Sequence, residues 1–218
     1  MHYTKLSKSK YLSKVGVLFS NSLSDEAIRK ALFSFGYNDH RLSEGKKLFD
    51  ELSSCDAEHA LRNAEKIDLF YRKKNAQELI HHAYMKFLKI ARIAFDEDMN
   101  AAEALLLVGP RERTYKKWYF QVSVFCNNLL NTPDFLASME TFGVKKTQIE
   151  QLRMDLDNLS SLSDKCAKIT GAVRMLVQRK KKQTVRLQNW VSDYIKIARI
   201  ALEDSPQTLA KIGITVKS

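Results

Sequence analysis

The segment KIARIA occurs twice in the chain, at residues 89–94 and at residues 196–201, which are 107 positions apart. The same offset brings other features into register without a gap. They include Phe35-Gly36 with Phe142-Gly143, Leu52-Ser53-Ser54 with Leu159-Ser160-Ser161, and Arg72-Lys73-Lys74 with Arg179-Lys180-Lys181. One offset that holds along the whole length is typical of an internal repeat. We therefore interpret the chain as a tandem duplication of a unit of 107 residues.

The repeat predicts two helical units, residues 1–107 and residues 108–218, which are free to pack separately or as one domain. The boundary falls in the segment LVGPRER, where Gly109-Pro110 breaks a helix. The sequence leaves open whether helices exchange between the two units.

Composition and periodicity both favour helices. The chain has only 7 glycines and 3 prolines, too few for the frequent turns of a sheet protein. Apolar residues recur at steps of three or four from Ile149 to Leu176, and a weaker stripe in the first copy includes Ala60, Ile67 and Phe70. We predict an all-α fold in which each repeat is roughly four helices, packed as antiparallel bundles with pseudo-two-fold symmetry.

The net charge of +11 is concentrated in the second half of the chain. Residues 1–107 carry 17 basic and 15 acidic residues, whereas residues 108–218 carry 19 and 10. A basic half attracts nucleic acid, an anionic membrane surface or an acidic partner, and it also simply confers solubility. Solubility is the plainer interpretation of the charge by itself.

The densest basic run is RMLVQRKKKQTVR, residues 174–186, in which Arg179, Lys182 and Arg186 would share one helix face. The candidate phosphate contacts in this run are Arg179, Lys180, Lys181, Lys182 and Arg186. If a turn lies here, the run is instead a solvated corner, the interpretation that the matching Arg72-Lys73-Lys74 favours. An acidic protein partner is the third alternative.

The segment FLASMETFGVKKTQIEQLR, residues 135–153, resembles a helix-turn-helix, with Gly143 at the turn. The resemblance implies that Lys145 and Lys146 face a nucleic-acid groove. The alternative is a corner of a helical bundle that has the same appearance.

Each KIARIA copy contains one arginine, Arg92 or Arg199, placed four residues before an acidic residue. This spacing predicts an ion pair within the helix, beside a close helix contact at the alanines. Alternatively, the two arginines face each other across a cleft and bind an anion.

Catalytic motifs are scarce. The glycines have no phosphate-loop spacing, and the chain contains neither G-x-S-x-G nor H-E-x-x-H. Glu78 and His81 form the E-x-x-H unit of di-iron bundles, but the repeat places Val185 and Gln188 at the matching positions. His59 and His82 are further metal-ligand candidates, although surface histidines are the plainer interpretation. We predict no cofactor and no metal and favour a protein that is not an enzyme, with an enzyme whose site lies in a cleft between the two repeat units as the third interpretation.

Three widely spaced cysteines, Cys55, Cys126 and Cys166, favour buried thiols in a reducing compartment over a disulfide framework. We expect a cytoplasmic protein without a membrane span, because no apolar run is long enough to cross a bilayer.

These observations lead to one main functional hypothesis, a non-enzymatic helical scaffold or protein-interaction protein whose partner is an unidentified protein. The alternative is a nucleic-acid-binding protein that uses the basic second half, through residues 135–153 and 174–186. Self-association is a further expectation for partners.

Overall fold

A computed structural model describes residues 6–214, and within that range all regular secondary structure is helical. The helices of the described part of the chain are α1 (Lys8–Ser24), α2 (Glu26–Phe33), α3 (Asp39–Ala94), α4 (Met99–Ala104), α5 (Tyr115–Asn131), α6 (Pro133–Thr141), α7 (Lys146–Ala201) and α8 (Pro206–Lys211). The prediction of an all-α fold is confirmed.

The helix bounds follow the offset of the sequence repeat. The first and last residues of α5, α7 and α8 lie 107 positions after those of α1, α3 and α4. Helices α2 and α6 also begin 107 positions apart, and each is followed by a glycine in the left-handed region, Gly36 at φ +80° and Gly143 at φ +78°. Glycine adopts this conformation without a Cβ penalty, so the chain turns at the same point in both repeats.

The chain forms two compact units whose limits differ from the sequence halves. Unit 1 comprises Met1–Asn63 and Gly171–Ser218, and unit 2 comprises Ala64–Thr170. Helices α3 and α7 therefore each contribute one segment to each unit. The predicted boundary near residue 107 stays a statement about the sequence repeat.

The core of unit 1 joins α1, α2 and the start of α3 to the end of α7 and to α8. Trp190 stacks on Tyr194 with ring centroids 5.4 Å apart, and the rings of Phe19 and Tyr37 pack against Trp190. The buried hydroxyl of Ser22 forms a hydrogen bond with the hydroxyl of Tyr194. Other fully buried members of this core are Val15, Leu18, Ile28, Leu32, Leu42, Leu52 and Leu187.

The core of unit 2 joins α4, α5 and α6 to the end of α3 and the start of α7. Tyr84 meets Phe125 edge-on, with ring centroids 5.3 Å apart. Other fully buried members are Leu88, Ala91, Leu105, Val122, Cys126, Leu129, Ile149, Leu156 and Leu159.

One part of the predicted core is wrong. Ala60, Ile67 and Phe70, assigned to the buried stripe of the first copy, are exposed. The half-buried positions of this part of α3 in unit 2 instead include Lys66, Leu69, Lys73 and Ala76. The apolar residues lie on a different side of the helix from the positions that pack.

Two glycines of unit 1 give a matched test of this packing. A Cβ at Gly45 on α3 would overlap the indole ring of Trp190, whereas a Cβ at Gly171 on α7 meets nothing within 4 Å. We expect Gly45→Ala to lower the free energy of unfolding by about 1–3 kcal/mol through overpacking. Gly171→Ala should raise it by about 0.4–1 kcal/mol, because alanine is the better helix former.

Urea unfolding followed by circular dichroism measures both variants. Equal effects of the two substitutions would contradict the close approach of Gly45 to Trp190.

Candidate interaction surfaces

An exposed apolar patch lies on α3 in unit 2. Ile67, Phe70 and Tyr71, which we call the α3 patch, have exposed fractions of 64%, 46% and 64%. Spacings of three and four residues place these side chains on one face of the helix. The patch is therefore contiguous, unlike the single exposed apolar residues that every protein surface has.

A cleft of about 840 Å³ continues along the same face of α3. Residues of α3 form one wall and residues of the α4–α5 connection and α5 form the other. The lining residues include Lys74, Glu78, His81, Met85, Arg113 and Trp118. Lys74, Glu78 and His81 are exposed, so the cleft is open to solvent along α3.

Several side chains in and beside the cleft are paired with one another. The Nε1–H of Trp118 donates to Nδ1 of His81 at 3.1 Å. Lys74 Nζ lies 3.8 Å from a carboxylate oxygen of Glu78, and Lys117 Nζ lies 4.0 Å from one of Glu112. Within residues 6–214, no group of three or more histidine, cysteine, aspartate or glutamate side chains could hold a metal ion. Glu78 and His81, which form the E-x-x-H unit, both line this cleft. His59 belongs to unit 1 and does not line it.

Arg111 holds the connection between α4 and α5 in place. Its Nη1 donates to the Tyr84 hydroxyl at 2.8 Å and to the Leu106 carbonyl at 2.9 Å. Its Nη2 donates to the carbonyls of Val108 at 3.1 Å and Gly109 at 3.0 Å. Leu106 has a φ of +53°, a left-handed conformation that these contacts stabilise. Burial raises the pKa of Tyr84, so its hydroxyl stays protonated and accepts from the guanidinium.

We expect Arg111→Ala to lower the free energy of unfolding by about 2–4 kcal/mol, because it leaves the buried Tyr84 hydroxyl without its donor and frees the connection. The matched control is Arg113→Ala, an exposed cleft arginine with no hydrogen bond or ion pair among the described residues, which should change stability by less than about 0.5 kcal/mol. Chemical denaturation measures both, and a similar effect of the two substitutions would contradict the role of Arg111.

The basic run 174–186 lies inside α7, which continues without a turn from Lys146 to Ala201. The interpretation as a solvated corner is therefore wrong. The helix continues through the run because the apolar stripe that ends at Leu176 and the stripe that begins at Leu187 keep one helical register. Gln183 is buried between them. Residues 179, 182 and 186 share a helix face, as a continuous helix requires.

Two of the predicted cations of this run are paired with α3 in unit 1. Lys180 forms an ion pair with Asp56, which also binds Lys8 of α1. Arg179 lies 3.9 Å from a carboxylate oxygen of Glu58. Lys181, Lys182 and Arg186 are exposed and have no ion pair among residues 6–214. The run thus divides into two cations that are paired with carboxylates of α3 and three that are unpaired.

The pKa of Asp56 is lowered from its ordinary value. Desolvation raises the pKa, but hydrogen bonds from Lys180 and Lys8 and their positive charges outweigh that effect. Because the pKa of Asp56 is lower in the folded state, its ionised form stabilises the fold at pH values above about 4, the pKa of the unfolded state. This stabilisation is lost as the pH falls through the pKa of the folded state.

We expect Asp56→Asn to lower the free energy of unfolding at pH 7 by about 1 kcal/mol, a modest effect because the site is partly solvated. The difference from the unsubstituted protein should shrink as the pH falls below about 4. Urea titrations at a series of pH values measure it. A difference that does not change with pH would show that the charge on Asp56 is not its cause.

Of the remaining predicted anion contacts, Arg92, Lys145 and Lys146 belong to unit 2 and Arg199 belongs to unit 1. Lys145 and Lys146 are exposed in unit 2, where the Lys145 backbone N–H donates to Oε1 of Gln148 at 2.9 Å and Lys146 lies 3.8 Å from Glu150. Arg92 donates to the carbonyl of Leu107 at 2.9 Å in unit 2, whereas Arg199 is exposed in unit 1. Helix α7 is also far longer than a recognition helix needs.

The three cysteines are buried free thiols. Burial raises the pKa of Cys126 to about 12, which suppresses the reactive thiolate form. Among the described helices, none combines the length and the apolar character needed to cross a bilayer.

Four features of these surfaces do not follow from the sequence analysis. The apolar stripe predicts Ile67 and Phe70 of the α3 patch to be buried, and Arg111 and Trp118 belong to no motif. Arg174 was passed over although it opens the basic run. The absence of acidic residues from Lys165 to Val191 is the sequence signal that identifies Arg174 as part of a basic surface.

No known protein family, curated protein or solved structure matches the chain.

Proposed function

We propose that this protein is a non-enzymatic helical interaction protein that binds a helical segment of a partner protein along α3 in unit 2. The observation that carries the proposal is the α3 patch, three exposed apolar side chains on one helix face. An exposed contiguous apolar surface is unfavourable in water unless a partner covers it.

The distribution of residues around α3 supports this proposal. Two of the half-buried positions are occupied by lysines, Lys66 and Lys73, and not by apolar residues. Lys73 Nζ donates to Ser163 at 2.9 Å and lies over the Tyr115 ring. The exposed side carries the aromatic residues Phe70 and Tyr71. A helix whose only requirement was intramolecular packing would have the opposite arrangement.

The cleft extends the surface from the α3 patch. Ile67 to Met85 spans about 27 Å of helix, a suitable length for a partner helix that presents side chains every three to four residues. Arg113 is exposed in the cleft and Tyr71 in the α3 patch, and tyrosine and arginine are among the residue types that contribute most to protein interfaces. The open cleft walls and the mutual ion pairs of its acidic groups favour a macromolecular ligand over catalysis on a small substrate.

We also propose that the chain arose by tandem duplication of its 107-residue unit and has pseudo-two-fold symmetry. The matching bounds of α1 and α5, of α3 and α7, and of α4 and α8 support the duplication. The reciprocal composition of the compact units supports the symmetry, because each combines the first part of one repeat with the last part of the other.

A cytoplasmic location is part of the proposal. Three buried free thiols suit a reducing compartment, in which they persist without oxidation.

Site-specific photocrosslinking tests the interaction. A photoreactive phenylalanine analogue replaces Tyr71 in the full chain, and the crosslinked partner is identified, purified and titrated against the unsubstituted protein. The matched control carries the same analogue at Phe120, which is 65% exposed on α5 and does not line the cleft. We expect crosslinking at position 71 and not at position 120.

With the purified partner, Phe70→Ala and Tyr71→Ala should each weaken binding at least about tenfold, as aromatic residues at an interface centre do. Equal crosslinking at both positions, or a partner affinity that neither substitution changes, would refute the proposal. Sedimentation velocity identifies the case in which the captured partner is a second copy of the chain.

A further inference from the structure

We infer that the protein has a second binding activity, in which one face of α7 in unit 1 contacts the phosphate backbone of double-stranded nucleic acid. The surface, which we call the basic face, consists of Arg174, Gln178, Lys181, Lys182, Arg186 and Asn189, with the exposed apolar side chains of Met175 and Val185 among them. All of these side chains are exposed. The inference does not depend on the α3 patch, which belongs to unit 2.

The basic face is a single continuous surface. Its residues follow one another at helical steps of three or four, apart from the adjacent Lys181 and Lys182, and α7 is unbroken over this stretch. From Arg174 to Asn189 the helix rises about 22 Å. A DNA duplex presents about 13 phosphate charges over that distance. The face is therefore long enough to contact several phosphates at once.

The positive charge of the basic face is not neutralised within the described structure. Arg174, Lys181, Lys182 and Arg186 have no ion pair among residues 6–214, and α7 contains no acidic residue between Asp164 and Asp193. Arg179 shares a helix side with Lys182 and Arg186 but is paired with Glu58, and Lys180 is paired with Asp56, so neither belongs to this unpaired set. Four unpaired cations on one helix face give a strong local attraction for a polyanion.

The positive charge of the basic face is not repeated at the matching positions of α3. The positions of α3 that lie 107 residues earlier carry Ile67, Tyr71, Lys74, Asn75, Leu79 and His82. Only one of these six is a lysine or arginine, and that lysine is close to Glu78. The two repeats therefore differ in chemistry at the same helix face.

The side-chain types favour nucleic acid over the other polyanions. Arginine and lysine contact phosphates, and the exposed amides of Gln178 and Asn189 donate to phosphate and sugar oxygens. The face has no aromatic side chain, which a membrane-surface helix uses as an anchor and a single-strand binder uses to stack bases. The contacts are to the backbone, so we infer binding that is largely independent of nucleotide sequence.

Fluorescence anisotropy tests the inference with the full chain and labelled 20-base-pair DNA and RNA duplexes, at about 50 and 200 mM salt. The variant is the triple substitution Lys181→Gln, Lys182→Gln and Arg186→Gln. The control is Lys10→Gln, Lys30→Gln and Lys47→Gln, which removes the same charge from exposed positions of α1, α2 and α3 in unit 1. Circular dichroism checks that both variants keep the helical fold.

We expect binding in the micromolar range at the lower salt, and a loss of at least about tenfold in the variant but not in the control. The slope of log affinity against log salt should decrease by about 2.7 in the variant, which is about 0.9 for each lost phosphate contact.

Three results would overturn the inference. They are no duplex binding at the lower salt, equal loss in the variant and the control, and preferential binding to labelled poly-glutamate, which would indicate an acidic protein partner instead. None of them bears on the crosslinking at Tyr71, because the two surfaces belong to different units.

Discussion

The structure depends on the two helices of 56 residues, α3 and α7, being continuous while their ends lie in different hydrophobic cores. A helix gains most of its stability in a protein from packing an apolar face, not from intrinsic propensity. The start of α3 packs through Leu42 and Leu52 in unit 1, and its end packs through Tyr84 and Leu88 in unit 2. Between Cys55 and Ile80 no residue of α3 is buried. That middle stretch is free to carry surfaces whose side chains the cores do not determine.

The sequence predicted the helices better than their assembly. Periodicity and scarce glycine identified an all-α chain, and the 107-residue offset anticipated the matching bounds of α1 and α5. The exchange of segments between units could not be predicted, because Leu187 is equally apolar whichever repeat it packs against. The sequence pattern also did not predict that Ile67 and Phe70 are exposed. Periodicity identifies a side of a helix, but it does not say whether a partner segment of the same chain covers that side.

The two repeats share a scaffold and differ at one helix face. Phe70 and Tyr71 on α3 correspond to Val177 and Gln178 on α7, so the aromatic character of the first copy is absent from the second. The basic character of Arg174 and Arg186 is likewise absent from the first copy, which has Ile67 and Leu79 at those positions. Core positions such as Val15 and Val122 are conserved between the repeats and buried in both. Other buried positions differ but stay apolar, as Leu18 and Phe125 do, whereas the exposed face of α3 and α7 changes in chemistry.

Separating the two repeats tests whether each unit is built from segments of both. Residues 1–107 and 108–218 are expressed as two polypeptides and examined alone and mixed, by circular dichroism, urea unfolding and sedimentation. We expect that neither half unfolds cooperatively as a monomer, because each lacks one side of both cores, and that an equimolar mixture restores a cooperative one-to-one complex. Two halves that each fold stably as monomers would contradict it.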